Sequence, residues 1–314
     1  MSGDIFNAAC RFLVEYGYLP KDHDVASFDD VDFKSAVAKF QRFDANVGIA
    51  AEEHGVELIA DGSLGPATLR AMAMPRCACP DNDALEPLIG TGGWPNCHGA
   101  GGIHCATVLV DPRNKPSFLA PVFNDVLRRV QKAYADIGLL FRFCESQSGA
   151  IVDLLTGERI TPQGINIDFV FTRGNGWIGL AIVGNGSNQR CSSKIWAKFE
   201  YKYQPRNVVN EWVTLIKHEL GHNCGLRHTS GGVMNPGIIN GLPNAWVSSD
   251  PSTRTLRRWF GGEPVPIPGD TPDDPEPPTP PGGGDTPAPG QPLGTPFTLY
   301  DGTRGQVFRI MGGG

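Results

Sequence analysis

The sequence predicts an α+β protein in which a small three-helix module precedes a larger domain of strands and long helices. Two observations carry this. Apolar residues recur at helical spacing through the first 75 residues, whereas later segments alternate short strand-like runs with helical ones. A third observation closes the folded part: after Gly262 the composition shifts abruptly to proline, glycine, aspartate and threonine, which describes an extended linker.

In the N-terminal module, Ile5, Phe6, Ala9, Phe12, Leu13 and Tyr16 mark one helix, interrupted at Gly17. A second carries Phe33, Ala36, Val37 and Phe40. A third starts at Pro66, after the turn Asp61-Gly62-Ser63, and buries Leu69 and Met72. The stretch from Asp83 to Gly102 holds six glycines (Gly90, Gly92, Gly93, Gly99, Gly101 and Gly102) and reads as a loop. Strands are expected at Ala106–Val110, Leu139–Phe143 and Ile165–Phe171, and a helix from Pro121. A long helix is expected over Asn207–Cys224, and a last one from Ser249, capped by its hydroxyl, to Gly261. These readings divide the chain into a helical module at 1–82, a loop at 83–104, a main domain at 105–262, a linker at 263–295 and a tail at 296–314. The tail is either a strand hairpin that docks elsewhere or the stub of a larger domain.

Composition narrows the function. Of the 314 residues 40% are hydrophobic and 19% charged, which are globular values. A formal net charge of -6 offers no basic surface for nucleic acid. No run reaches the roughly 18–20 apolar residues that span a bilayer, and Met1–Tyr18 lacks the pattern of a secretory signal. Eight cysteines (Cys10, Cys77, Cys79, Cys97, Cys105, Cys144, Cys191 and Cys224) permit disulfides without specifying their connectivity.

The chemistry concentrates in His218, Glu219, His222, Gly225 and His228, spaced HExxHxxGxxH. Histidines four apart on a helix point the same way and can share one ion. Gly225 lets the chain leave the helix in a left-handed conformation, so that His228 returns as a third ligand. Three neutral nitrogens on Zn²⁺ leave a fourth position open, as a catalytic site needs. Glu219, beside the first ligand, is placed to take a proton from water and return it to a leaving amine. By helix phase Val209, Val213, Ile216 and Leu220 form the packed face, with the two histidines opposite, toward a cleft. HExxH alone arises by chance in roughly one chain of this length in a hundred; the added glycine and histidine cut that about a thousandfold.

With these residues the chain resembles the metzincin zinc peptidases, whose methionine-containing turn beneath the metal is matched by Ser230-Gly231-Gly232-Val233-Met234-Asn235-Pro236. Within them it looks most like the matrixins, the matrix metalloproteinases. Phe12-Leu13-Val14-Glu15-Tyr16-Gly17-Tyr18-Leu19-Pro20 and Asp61 to Leu69 resemble their prodomain, itself similar to peptidoglycan-binding modules. Pro75-Arg76-Cys77-Ala78-Cys79-Pro80-Asp81 resembles their cysteine switch, with Ala78 in place of a glycine and Cys79 as an added thiol. The resemblance implies a twisted, mostly parallel sheet with long helices, one catalytic Zn²⁺ held by His218, His222 and His228, and Cys77 on the metal in the latent form. It implies Met234 as the turn methionine and Gly179, Leu180 and Ala181 on a cleft-lining edge strand that takes up an extended peptide. Arg76 is expected to pair with Asp81 from charge alone.

The chain departs from the matrixins in having no histidine between Cys105 and Lys217, which removes the ligands of their structural zinc. Asn166 falls where the family often carries a calcium-binding aspartate, so Ca²⁺ is retained only as an additional ion. The reading implied is a secreted or extracellular zinc endopeptidase, acting on protein or peptide and made as a zymogen. The alternative is a constitutively active peptidase targeted to the cell wall, its N-terminal module binding peptidoglycan.

Overall fold

Nearly continuous burial along two parallel strands, beside a third that alternates, builds the centre of the protein. The computed structural model describes residues 3–22, 24–45, 58–73, 76–81, 103–172, 179–181, 192–198, 208–229, 232–236, 245–269, 297–300 and 307–310. Six strands form one sheet: β1 (His104–Asp111), β2 (Leu139–Gln147), β3 (Ala150–Asp153), β4 (Ile165–Thr172), β5 (Gly179–Ala181) and β6 (Ser192–Lys198). Their order is β3-β2-β1-β4-β6-β5. The β1–β2, β1–β4 and β4–β6 pairs are parallel, with Val108 opposite Phe143 and Ile167. The two edge strands run antiparallel to their neighbours. The sheet is therefore mostly parallel, as the family resemblance implies.

Parallel neighbours need crossovers, and helix α4 (Phe123–Ala135) supplies the one between β1 and β2. It starts two residues later than Pro121, because residues 117–122 form turns instead. Val126, Leu127, Val130 and Tyr134 face the core, where they meet Phe141, Phe143, Ile167, Phe169 and Trp212. The Tyr134 hydroxyl donates to the Lys217 carbonyl at 2.7 Å and ties α4 to α5 (Val208–Asn223). Strand β3, the extension of β2 to Gln147, and β6 are absent from the sequence reading. The β2–β3 connection is a tight turn at Ser148-Gly149, both with positive φ, between Glu145-Ser146-Gln147, too polar to register as a strand, and Ala150–Asp153, too short to do so.

The N-terminal helices α1 (Gly3–Glu15), α2 (Val31–Ala45) and α3 (Pro66–Ala73) share a separate core of Ala9, Leu13, Phe33, Val37, Phe40 and Leu69. Gly17, at φ 80°, ends α1; the Tyr18 and Leu19 amides return to the Leu13 carbonyl at 2.7 and 3.0 Å. Gln41 explains the Asp61-Gly62-Ser63 turn. Its side chain accepts from Gly62 N–H at 2.8 Å and donates to Ser63 O at 3.0 Å and Thr68 Oγ1 at 2.9 Å. The tail forms the hairpin β7 (Phe297–Tyr300) and β8 (Val307–Ile310). The loop at 83–104 lies outside the described residues except for Ile103 and His104, and so does most of the linker.

Helix α6 (Pro251–Phe260) corrects one expectation. Its cap is Asp250, not Ser249: the Asp250 carboxylate accepts from Ser252 N–H at 2.8 Å, Pro251 takes the first turn and Gly261 leaves in a left-handed conformation. The other Asp250 oxygen accepts from Val233 N–H at 2.9 Å, so this one buried side chain joins α6 to the turn before Met234.

Lys217 is fully buried, with Nζ 4.8 Å from the centre of the Trp246 ring. Burial lowers its pKa to about 7, against the attraction of Asp250. An unfolded lysine titrates near 10.4, so between about pH 7 and 10 the unfolded chain binds a proton that the folded chain lacks. Stability contributed by this site therefore rises with pH across that window. In urea denaturation at a series of pH values, Lys217→Met should flatten that rise. Asp250→Ala, which leaves two buried amides without their acceptor, should lower stability by about 1–3 kcal/mol.

Candidate metal centre

Three imidazoles converge at the C-terminal end of α5. His218 and His222 are placed by helix phase, and His228 by the chain reversal at Gly225, whose φ is 102°. The reversal is a Schellman closure: Leu226 N–H bonds Gly221 O at 2.9 Å and Gly225 N–H bonds His222 O at 2.8 Å. The three Nε2 atoms then stand 3.1–3.2 Å apart.

Those nitrogens cannot satisfy one another as hydrogen-bond partners. His218 Nδ1 faces Val233 O and His222 Nδ1 faces Leu226 O, each at 2.8 Å; a carbonyl only accepts, so both Nδ1 atoms carry the proton. His228 Nδ1 lies 3.0 Å from Asp81 Oδ1 at ion-pair distance, although neither atom has an aligned hydrogen bond; a carboxylate so close favours the proton on that outer nitrogen. Three bare lone pairs are thus pointed at one another inside the protein, an arrangement that a cation resolves. A tetrahedral Zn²⁺ at ordinary bond lengths places its nitrogens about 3.3 Å apart and a sulfur about 3.6 Å from each. Cys77 Sγ lies 3.6 Å from His222 Nε2, and all four ligand atoms fall within 4.8 Å of one another. This donor set of three histidines and one cysteine fits zinc. Among the described residues it is the only such cluster.

The environment is dry. Burial and the neighbouring imidazoles hold the pKa of His218 well down, and burial pushes the Cys77 thiol well up. The Cys77 proton therefore leaves in exchange for a metal, since a coordinating thiol is deprotonated. Burial also raises Glu219 to about 8. Its Oε1 is buried without a hydrogen-bond partner, while Oε2 lies 3.9 Å from Cys77 Sγ.

The face of α5 that helix phase assigns to a cleft is covered: every residue from Glu211 to Asn223 is buried. The cover is the segment 76–81. Cys77 N–H donates to Pro236 O at 2.7 Å on one rim and Ala78 N–H to Gly179 O at 2.9 Å on the other. Cys79 Sγ donates to Ala181 O at 3.5 Å. Gly179, Leu180 and Ala181 thus lie along the segment as β5, at the sheet edge. Gly179 is obligatory there, because a Cβ would overlap the Glu219 carboxylate. Met234 is fully buried. A Cβ on Gly221 would come within 2.6 Å of its Sδ, so the glycine inside the HExxH helix is where this turn packs.

The segment is anchored on its other side by Arg76. Its guanidinium sits 4.8 Å from the Tyr16 ring centre, 5.4 Å from Phe12 and 5.5 Å from Phe40. The expected pair with Asp81 is present at 2.5 Å and fully enclosed. Tyr18 OH donates to the same carboxylate oxygen at 2.9 Å. Against its burial, Arg76 and His228 hold the Asp81 carboxyl below its usual range. Sequence reasoning missed the Asp81–His228 and Tyr18–Asp81 contacts; spacing carries no signal for side chains that meet across 147 or 63 residues. Met74, Pro75 and residues 237–244 lie outside the described residues. Six cysteines, Cys10, Cys77, Cys79, Cys105, Cys144 and Cys224, are free thiols.

A mostly parallel sheet, a helix carrying two zinc-type histidines and a glycine-hinged third form a metal centre of the kind metallopeptidases use. A family comparison agrees for part of the chain. Residues 144–229 match the family model of the reprolysin-like metallopeptidases, family M12B. No curated protein matches the sequence. Among solved structures, two of myroilysin are similar at 17% and 18% identity, with TM-scores of 0.28 and 0.23. They cover 51% and 47% of this chain and 58% and 57% of theirs. Metalloproteinase-II from Bacteroides fragilis is similar at 11% identity and TM-score 0.31, over 58% of this chain and 60% of that one. The chain thus spans under two thirds of the length of each.

Gly221→Ala should cost about 1–3 kcal/mol by forcing Met234 out of its seat. Thermal denaturation measures this, and metal analysis of the same variant should show zinc retained at reduced occupancy.

Proposed function

We propose that this protein is a zinc-dependent endopeptidase made as a latent zymogen, with Cys77 as the plug. The observation that carries the reading is the position of Cys77 Sγ, 3.6 Å from His222 Nε2 and within 4.8 Å of the other two imidazoles, whose bare nitrogens converge. Zn²⁺ bound by His218, His222 and His228 supplies Lewis acidity, polarising a carbonyl and making water nucleophilic near neutral pH.

The chain's own residues do the rest. Glu219 Oε1 has no competing hydrogen-bond partner; departure of the covering segment relieves the burial that holds its carboxyl at about 8, and the ionised carboxylate then takes the proton from the attacking water and delivers it to the leaving amine. Strand β5 orients the substrate. Its Gly179 carbonyl, now bonded to Ala78 N–H, accepts from an extended peptide laid along the same edge, which favours internal bonds of a chain over free ends. Met234 supports the floor of the site. The segment 76–81 holds both the ligand position and the strand edge, and so excludes substrate and water together.

Latency is favoured over the alternative of a constitutively active, peptidoglycan-targeted peptidase by that double occupancy. Activation follows cleavage in 83–104 or loss of the Cys77 thiolate. The finer reading as a matrixin-like, secreted enzyme rests on the resemblance of 75–81 and of the N-terminal module, and the proposal needs one ion only.

The test is zinc content with hydrolysis of an unstructured protein. The intact chain should carry about one zinc and be silent, trimming the N-terminus should release activity, and Glu219→Ala should keep zinc while losing about 10³-fold or more in rate. Cys77→Ala should be active uncut. A zinc-loaded, trimmed chain that hydrolyses nothing overturns the proposal. Gly179→Ala, which displaces Glu219, should lower kcat without releasing zinc.

A further inference from the structure

The zinc reading above leaves one contact unaccounted for. Two of the three histidines have their Nδ1 protons held by backbone carbonyls of the main domain, Val233 and Leu226. Among the described residues the third, His228, has no such carbonyl: its Nδ1 lies 3.0 Å from Asp81 Oδ1, at ion-pair distance without an aligned hydrogen bond, and both residues are enclosed. Asp81 belongs to the segment that covers the site. It is presented by the N-terminal module, through Arg76 in its cage of Phe12, Tyr16 and Phe40 and through Tyr18 OH.

We infer that Asp81 is a positioning residue for the third zinc ligand. The N-terminal segment then supplies the latent centre with two things, a thiolate on the open position and a carboxylate behind His228. A carboxylate accepting from the far nitrogen of a ligating imidazole fixes its tautomer and ring plane and makes it a stronger donor; losing such a partner typically costs 10–100-fold in metal affinity. Removing the segment therefore frees the fourth position and loosens His228 in the same step. The uncut chain is the high-affinity form for loading zinc, and the trimmed enzyme holds it less tightly even after the thiolate is discounted.

The inference rests on the zinc reading, yet its test is independent of catalysis. Zinc dissociation constants are measured by chelator competition on full-length chains, in a Cys77→Ala background that removes the thiol from the comparison. Asp81→Asn in that background should weaken zinc about 10–100-fold. Arg76→Gln, which breaks the same ion pair but keeps the carboxylate, should weaken it much less. Equal losses in both variants would mean that undocking of the segment, not the carboxylate, is responsible, and would overturn the inference; so would no loss in Asp81→Asn. Proton NMR of zinc-loaded wild type provides a second measurement that needs no variant at Asp81. The His228 Nδ1 proton should be protected from exchange in the uncut chain and exchange rapidly after trimming, and unchanged protection would overturn the inference. A trimmed chain that binds zinc but cleaves nothing defeats the functional proposal and leaves these affinities readable.

Discussion

The structure depends on keeping three imidazole lone pairs aimed at one point inside a dry interior. Without a cation that arrangement is repulsive, and every nearby element resists its relaxation. The four-residue spacing on α5 fixes two rings. The Schellman closure at Gly225 fixes the return of the third and leaves the Leu226 carbonyl free to hold His222. The Val233 carbonyl, in the turn before Met234, holds His218. His218 and His222 are therefore oriented by backbone groups, whose positions follow from the fold, whereas His228 meets a side chain, Asp81.

That backbone is braced from below. Met234 fits against Gly221 because the helix offers no side chain there. Asp250 spans the amide of Val233 and the first turn of α6, coupling the turn to a helix that itself packs into the main core through Leu256 and Phe260. Above, Tyr134 bonds the Lys217 carbonyl, so the sheet-covering helix α4 and the metal-bearing helix α5 move as one. The site is a junction of the sheet layer and the C-terminal helix, and its precision derives from both.

Much of this was legible in the sequence because it is written in local spacing. The HExxHxxGxxH run, the helical periodicity of α1, α2, α4 and α5, and the alternation in β4 are each contained within a few turns or one strand. The misses are of two kinds. β3 has only four residues and β6 mixes serine and lysine with Ile195 and Trp196; each depends on a neighbour to pair with, which no single segment announces. The cap of α6 went to Asp250 over Ser249 because a carboxylate reaching two amides outcompetes a hydroxyl reaching one. The Asp81–His228 contact belongs to a third level, a meeting of distant segments that only the folded chain reveals.

Strand β5 is three residues long and stands at the open end of the sheet. While the segment 76–81 lies along it, its outward carbonyls have partners. Once that segment departs, the same edge becomes an unsatisfied row of backbone groups, and any extended chain, including another copy of this protein, can add to it. On the proposed function, the edge that would take up a substrate is also the edge through which trimmed copies of the protein would meet, so concentrating them would favour self-cleavage and strand-mediated association through one and the same surface.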